Sequence, residues 1–382
     1  MKMNKLFFVA LFMIAFSSCE KRISEIPVLD VTKSYPSKNV ILQDIADVTY
    51  IPLETKEGFL ISESLPIQYM DEEILVTNNR EEIMFFNSKT GKAINSFNRS
   101  GRGPGEYIGG IHSIAVDKEK NELFVTLNTS SYNKKPIYVY DLQGNHLRTL
   151  EFQNIDFPQF FYNYNEKYLF WYNSDVEDPH PYKLISKTDT TFTYLPIVFT
   201  ERDNMSVTQK DDYGSTTYFR NGGAILKTYD GYILSEAGID TMFHWNKHNG
   251  KLTPVMVRTP SFKSMTVPIG AFITGQCSEY IFLNTIERKF DFETNRGFKT
   301  VRLLYDKNSG QFYEGAVLNS DYVSNLEVNI SNSISVGQCV VSFQAWQLVS
   351  SYKKGRLRGR LEEIAAKLVE DDNPVLMVVT FK

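Results

Sequence analysis

Five histidines and one glycine-rich stretch are the residues whose types and spacing could do chemistry in this chain. Histidine binds metals and transfers protons near neutral pH, and the sequence holds His112, His146, His180, His244 and His248. His244 and His248 lie four residues apart, but they flank a predicted hairpin turn and so do not predict a zinc site on one helix face. His112 begins the predicted innermost strand of its unit, where its side chain could face a central channel.

The stretch GRGPGEY, from Gly101 to Tyr107, invites comparison with a phosphate-binding loop. A P-loop requires Lys-Ser or Lys-Thr after its last glycine, and a dinucleotide fingerprint requires glycine where Glu106 stands. Because Pro104 fixes one φ angle and the glycines permit unusual ones, the stretch predicts a tight joint between two structural units. The residues around this joint that could also line a binding site are Arg102, Glu106, Tyr107 and His112.

Other signatures of catalysis or metal binding are weak. The sequence contains no G-x-S-x-G nucleophile elbow and no D-x-[DN]-x-[DN]-G calcium loop. DVEDPHP, from Asp175 to Pro181, collects three acids and a histidine. This composition favours a solvated loop, with calcium binding as the alternative. We therefore predict no catalytic residue, no metal site and no cofactor, calcium excepted.

Composition and charge exclude a nucleic-acid-binding class. Lys and Arg number 41 against 45 Asp and Glu, a net charge of −4, so no dominant basic field exists to hold DNA or RNA. A hydrophobic content of 42% over 382 residues is ample for a large core. The aromatic content of 14%, mostly Phe and Tyr, favours β structure.

The N-terminus is typical of an export signal. Lys2 and Lys5 accompany the apolar run Leu6–Phe16, which is too short to span a bilayer comfortably. The next residues complete FSSC, which resembles a bacterial lipobox and predicts a signal peptide over residues 1–18 and lipidation of Cys19. An ordinary secretory signal with an incidental cysteine is the alternative. The polar residues 19–38 predict a tether between the membrane anchor and the folded domain.

Beyond residue 38 the chain repeats one pattern. An alternating apolar run leads through a short polar turn to a second alternating run, which predicts a β-hairpin. The five copies are Ile83–Phe97, Ile137–Leu150, Tyr182–Ile197, Met242–Met256 and Val301–Val317. Four of the turns contain a glycine suited to a positive φ angle, namely Gly91, Gly144, Gly250 and Gly310. Four short strands per unit at a period of roughly 40 to 60 residues predict a β-propeller.

The last unit is interrupted. Cys339–Trp346 and Val375–Phe381 are predicted strands, and between them apolar residues at helical spacing predict an amphipathic helix, at Leu357, Leu361, Ile364 and Leu368. We expect this helix to pack against the outside of the propeller, with partner binding as the alternative. The early segment Val40–Glu54 could supply the missing outer strand and close the ring. The predicted fold is therefore an all-β, six-bladed propeller over residues 39–382.

Two cysteines lie within the predicted propeller. An oxidising compartment would permit a disulfide between Cys277 and Cys339. Sequence does not fix the distance between their Cα atoms. We favour two buried free thiols.

One complete unit, Gly101–Leu150, resembles the NHL-type propeller repeat, which has a glycine-rich opening, then IAVD, LFV and an I-V-Y-D-x-x-G hairpin. The whole chain resembles the six-bladed propeller lipoproteins of Gram-negative, gut-type bacteria, in which a G-x-G-P-G-E-[YF] segment follows the first blade. Asn373-Pro374 matches the Asn-Pro that precedes their final strand. The resemblance covers nearly all of residues 40–382 and implies the fold, while that family has no agreed activity.

The predicted location and fold together favour a lipid-anchored binding or scaffold module of the cell envelope, on the periplasmic or surface side of the outer membrane. The expected partners are another envelope protein, or a glycan or peptide ligand held in the funnel of the propeller. The alternative is a metal-dependent propeller enzyme, either a lactonase-like hydrolase or an NHL-type lyase. Such enzymes need acidic, Asn or His ligands that converge from several blades, and the predicted innermost strands show no repeated set of them.

Overall fold

The computed structural model describes residues 26–61, 67–69, 72–78, 81–128, 136–151, 160–189, 191–199, 202–212, 214–220, 223, 225–330, 333–335 and 337–382. The predicted signal peptide, Cys19 and the start of the predicted tether lie outside these residues. The described chain is almost entirely β structure. Among its few helices, none is both long and apolar enough to cross a membrane.

The N-terminal segment supplies edge strands to later sheets. Its elements are β1 (Val28–Asp30), β2 (Val40–Ile41), the short helix α1 (Leu42–Ile45) and β3 (Ala46–Pro52). β1 runs parallel to the strand Leu252–Thr259, and Leu29 between them is fully buried. The folded chain therefore begins before residue 39, within the segment predicted as a tether.

Three antiparallel four-stranded blades follow. Blade 1 comprises β4 (Ile67–Tyr69), β5 (Glu73–Thr77), β6 (Glu82–Asn87) and β7 (Ala93–Asn98). Blade 2 comprises β8 (Gly110–Asp117), β9 (Glu122–Asn128), β10 (Ile137–Tyr140) and β11 (His146–Leu150). Blade 3 comprises β12 (Phe160–Asn163), β13 (Tyr168–Tyr172), β14 (Tyr182–Ser186) and β15 (Phe192–Tyr194).

Two further large blades each lie beside a small separate hairpin in the chain. The hairpin of β16 (Ser206–Asp211) and β17 (Gly214–Phe219) precedes blade 4, which comprises β18 (Ile225–Thr228), β19 (Gly231–Leu234), β20 (Thr241–Asn246), β21 (Leu252–Thr259) and the added β1. A 3-10 turn, Phe262–Ser264, follows. Blade 5 comprises β22 (Ile269–Gln276), β23 (Tyr280–Glu287), β26 (Thr300–Asp306) and β27 (Gln311–Glu314), and it is interrupted by the hairpin of β24 (Phe290–Asp291) and β25 (Arg296–Gly297).

The remaining strands form one small and one large sheet. Blade 6 is three-stranded, with β2, β28 (Val317–Asn319) and β29 (Leu326–Val328). Blade 7 comprises β30 (Ser333–Ser335), β31 (Gln338–Phe343), β32 (Val375–Phe381) and β3. When every sheet of three or more strands is counted, the described chain has seven blades, so the prediction of six is wrong. Blade 6 was not predicted from the sequence, because strands of two or three residues are too short to show a two-residue hydrophobic period.

The ring closes between the two ends of the chain. β3 pairs antiparallel with β32 from Ala46 opposite Phe381 to Pro52 opposite Val375, which confirms the predicted closure. Asn373 fastens the same junction, because its buried side-chain amide donates to the carbonyls of Glu54 at 2.8 Å and Phe59 at 2.6 Å. At the centre, β30 of blade 7 contacts β4 of blade 1 and β18 of blade 4.

The insertion in blade 7 holds two helices instead of the single one predicted. They are α2 (Ala345–Lys353) and α3 (Gly359–Ala365), so the strand expected to reach Trp346 ends at Phe343. Gly355 and Gly359 adopt positive φ angles of 62° and 55°, which interrupt a continuous helix. Leu357, Leu361 and Ile364 are buried in a core cluster with blades 5 to 7, which confirms the predicted packing.

The five predicted hairpins are all present. Their glycines, Gly91, Gly144, Gly250 and Gly310, have φ angles of 70°, 87°, 65° and 69°. Cys277 and Cys339 are buried free thiols, as favoured from the sequence, and burial raises the pKa of Cys339 to about 12.

Candidate functional site

The GRGPGEY stretch lies between β7 and β8 and joins blade 1 to blade 2. It folds on itself: the Glu106 carboxylate accepts the Gly103 amide at 2.7 Å. Tyr107 donates its amide to the Arg99 carbonyl and accepts the Gly101 amide, both at 2.9 Å. The Tyr107 hydroxyl donates to the Glu81 carbonyl at 3.4 Å, so the polar groups of this residue hold the loop against blade 1, as a structural joint requires.

The joint also packs against blade 2. The Tyr140 hydroxyl donates to the Gly105 carbonyl at 2.9 Å, and the Tyr107 ring is buried against Tyr138 and Tyr140. Gly105 has a φ angle of +73°, and a Cβ atom there would lie 2.5 Å from Cγ of His146. Glycine is therefore required at this position by both backbone conformation and space.

The predicted site residues lie close together in the chain but have different surroundings. Arg102 is exposed, whereas Tyr107 is buried. His112 is partly buried at a bulge in β8, where the pairing with β9 shifts between Ile111 and Ser113. Bulges redirect side chains. A ligand-binding role for Arg102, Glu106, Tyr107 and His112 stays a prediction.

The acidic loop Asp175–Pro181 is organised by cationic side chains of the chain itself. Arg202 donates to the carbonyls of Asn173 at 2.9 Å and Asp178 at 3.0 Å, and also to that of Asp175. The Asp178 carboxylate forms an ion pair with Lys183. Within the described residues, no group of three His, Cys, Asp or Glu side chains is placed to hold a metal ion.

A cavity of about 280 Å³ lies where blades 4, 5 and 7 present the turns that follow their innermost strands. Thr228 and Tyr229 line it from the end of β18 and the turn that follows, Gln276 to Ser278 from the end of β22 and the turn that follows, and Gly337 from the turn between β30 and β31. Tyr229 is 86% exposed at the rim. The cavity is near the lower end of the range for ligand pockets, about 300–1,000 Å³.

Three lysines line this cavity, and none of its described lining residues is Asp or Glu. Lys307 and Lys382 are exposed at the rim, where Lys307 Nζ donates to the Cys277 carbonyl at 2.6 Å. Lys227 lies deeper, on β18. Its Nζ atom is 4.2 Å from the centroid of the Tyr162 ring, and it forms no hydrogen bond or ion pair with a described residue. Burial lowers the pKa of Lys227 to about 8.

The remaining polar groups of the cavity suit a hydroxyl-bearing ligand. Ser278 and Gln276 supply a hydroxyl and an amide group, and both cysteines of the described chain also line the wall. Thr228 and Thr274 line it too, with hydroxyls that bond to His244 at 3.1 Å and to the Phe282 carbonyl at 3.4 Å. Ammonium groups attract anions, while hydroxyl and amide side chains accept and donate hydrogen bonds. The arrangement can therefore bind a small anion that also carries hydroxyl groups.

Local spacing could not have revealed this cavity, because its lining spans residues 226 to 382 and comes from separate repeat units. One signal was available. Lys227 is the one charged residue of the innermost strand ILKT, where a charged side chain is costly unless it is paired or functional.

The chain matches a family model over residues 26–380, nearly its whole described length. It belongs to the family described as Domain of unknown function (DUF4934). No curated protein matches it. Among solved structures, a protein of Bacteroides fragilis NCTC 9343 whose name marks it as exported is 14% identical; the match covers 94% of this chain and 100% of that one, with a TM-score of 0.60. This likeness shows the fold alone.

Two other solved structures are similar at lower TM-scores. BamB from Moraxella catarrhalis is 9% identical, with coverage of 88% of this chain and 100% of that one and a TM-score of 0.39. A hydrazine synthase chain from Kuenenia stuttgartiensis is 15% identical, with coverage of 86% and 90% and a TM-score of 0.37.

Proposed function

We propose that this protein is an exported, lipid-anchored binding propeller of the cell envelope, and that its three-lysine cavity binds a small anionic ligand. The proposed location in the cell envelope is supported by the signal-like N-terminus, by Cys19 in its lipobox-like context, and by the similar structure whose name marks it as exported. The ligand class is supported by the cavity.

Lys227 is the observation that carries the proposal. A partly buried ammonium without a carboxylate or carbonyl partner lowers the stability of the fold. The same burial disfavours the charged form and therefore lowers the pKa of Lys227. A bound anion would supply the missing partner, and the rim lysines Lys307 and Lys382 would add to its attraction.

The cavity size restricts the ligand to a molecule of about the size of a monosaccharide or an amino acid. Glucuronate is a suitable probe, because its carboxylate supplies the anion and its hydroxyls match the polar wall. Glucose serves as its neutral counterpart.

Isothermal titration of the purified protein with both probes tests the proposal. We expect glucuronate to bind at least tenfold more tightly than glucose. Lys227→Met should weaken glucuronate binding by about 10- to 100-fold, since a hydrogen bond to a charged group contributes about 1.5–3 kcal/mol. The matched control is Lys89→Met, which removes an exposed lysine in a turn of blade 1. Equal affinity for the two sugars, or unchanged binding by Lys227→Met, would refute the anion site.

The anchor requires a separate test. Cys19→Ser should abolish incorporation of labelled fatty acid and release the protein from the membrane fraction, whereas Cys277→Ser should leave both unchanged. A Cys19→Ser protein that remains acylated would show that the anchor lies elsewhere.

A further inference from the structure

Two small hairpins stand apart from the blade sheets and contact each other. The β16–β17 hairpin lies between blades 3 and 4 in the chain, and the β24–β25 hairpin interrupts blade 5. The Tyr218 ring of the first stacks on the Phe290 ring of the second, with centroids 4.2 Å apart and an interplanar angle of 15°. This contact fixes one hairpin against the other.

A cleft of about 440 Å³ separates the remainder of the two hairpins. Its described lining includes Tyr218, Phe219 and Arg220 on one side and the stretch from Asn295 to Phe298 on the other, but no residue of β16. The cleft therefore lies beside the C-terminal end of β17 and continues the edge of the hairpin that faces away from β16.

The register of the hairpin identifies the main-chain groups on that edge. The Arg220 amide donates to the Met205 carbonyl at 2.9 Å, and hydrogen-bonded pairs alternate along an antiparallel ladder. Ser215, Thr217 and Phe219 consequently direct their N–H and C=O groups away from β16. The 2.8 Å contact between the Thr208 and Thr217 hydroxyls agrees, since side chains approach most closely at non-hydrogen-bonded pairs.

This edge lacks the features that normally prevent strand addition. Every residue of β17 is exposed, and its sequence, GSTTYF, contains no charge and no proline. In the partner strand β16, SVTQKD, the exposed Lys210 supplies a charge of the kind that protects an edge. In the described chain β17 pairs with β16 alone, so its outer edge presents open donors and acceptors.

The chemistry of the cleft indicates the kind of strand that fits. Arg220 and Arg296 supply two cations, and none of the described lining residues is acidic. Phe219 is 70% exposed and offers an aromatic surface to an incoming side chain. Asn295 and Phe298 both have φ angles of +53°, a costly conformation for a bulky residue and one that concentrates at binding sites.

We propose that the open edge of β17 binds an extended, acidic peptide segment of another protein by strand addition, with its carboxylates on Arg220 and Arg296. Main-chain hydrogen bonds would give affinity, and the arginines and exposed rings would give specificity. The site is separate from the lysine cavity and shares no described lining residue with it. Either proposal can fail without the other.

Fluorescence anisotropy with a labelled eight-residue peptide of alternating Glu and Val tests the proposal, with the Lys-Val peptide as its charge-reversed counterpart. We expect the acidic peptide to bind at least tenfold more tightly, and increasing salt to reduce the difference. Thr217→Pro removes an amide of the open edge that points away from β16, and it should weaken binding at least tenfold. Thr208→Pro is the matched control, because it removes the opposite outward amide and the same hydroxyl contact, and it should change binding less than twofold.

Hydrogen exchange in the wild-type protein gives an answer even if either proline unfolds the hairpin. Saturating acidic peptide should slow exchange at Ser215, Thr217 and Phe219 and leave Thr208 and Lys210 unchanged. Lys227→Met should bind this peptide normally, which separates the edge from the cavity. Equal binding of the two peptides, or equal protection of both strands, would overturn the proposal.

Discussion

Replacement of Lys187 tests whether blades 2 and 3 are joined by a buried ion pair. Lys187 follows β14 of blade 3, and its side chain is 1% exposed. Its ammonium forms an ion pair with Asp117 at the end of β8 and donates to Asn163 Oδ1 at 2.7 Å and to the Asn165 carbonyl at 2.6 Å. Lys187→Met keeps an apolar stem but leaves the Asp117 carboxylate buried without its cation.

Removal of one partner from a buried ion pair costs about 3–5 kcal/mol. Unfolding entropy is about 2.1 cal/mol/K per residue, so over the 355 residues from 26 to 380 the loss corresponds to a melting temperature lower by about 4–7 °C. The double variant Lys187→Met/Asp117→Asn removes the stranded charge and should regain at least half of this loss.

Thermal unfolding followed by circular dichroism measures the effect. Lys118→Met, an exposed lysine on the turn beside Asp117, is the control and should stay within about 0.5 kcal/mol of wild type. Two results would refute the reasoning: a Lys187→Met protein that melts within 1 °C of wild type, or a double variant that melts as low as the single one.

Three further predictions concern other sites. Glucuronate affinity should be constant below pH 8 and fall by up to tenfold per pH unit above it. The reason is that the Lys227 ammonium, with a pKa of about 8, loses its proton while the ligand carboxylate stays ionised. Titration calorimetry from pH 6.5 to 9.5 should show this fall in affinity in wild type and not in Lys227→Met. Gly105→Ala should destabilise by about 1–3 kcal/mol more than Gly337→Ala in urea unfolding, because the two φ angles are +73° and +69° but only the first Cβ meets His146. Asn373→Ala should lower the free energy of unfolding by about 2–4 kcal/mol in the same assay, since it removes two donated hydrogen bonds and the acceptor for the Ile61 amide. The control Asn308→Ala, in an exposed turn, should change it little.

Sequence patterns predicted the parts of this fold that local chemistry determines. The hairpin turns follow from glycines with positive φ angles, as at Gly91 and Gly144. Ring closure by the segment around Ala46 follows because the last predicted unit lacked an outer strand, which an alternating segment near the N-terminus could supply. The glycine-rich joint follows from its failure to match any phosphate-binding spacing.

Other elements left too weak a signal. The β16–β17 hairpin is exposed along almost its whole length, so hydrophobic alternation could not mark it. β1 and blade 6 consist of strands of two or three residues, and β1 and β2 pair with strands more than 200 residues away in the chain. The lysine cavity is formed by turns from three blades, and only the assembled ring brings Lys227, Lys307 and Lys382 to one place.

The buried lysine and arginine side chains of this protein differ in whether a carboxylate neutralises them, and this difference bears on function. Where a buried cation stabilises the fold, it has a carboxylate: Lys187 pairs with Asp117, Arg202 with Glu236 and Arg258 with Asp240. Lys227 departs from this pattern, since among the described residues its ammonium contacts the Tyr162 ring and no carboxylate. An apolar methionine should suit this partly buried position better than an ammonium without a carboxylate partner. Lys227→Met should therefore keep or raise the melting temperature, although it weakens glucuronate binding. The same substitution at Lys187 should lower the melting temperature and leave glucuronate binding intact in the folded protein. Opposite responses at two lysines of one chain would separate a cation kept for the fold from a cation kept for a ligand.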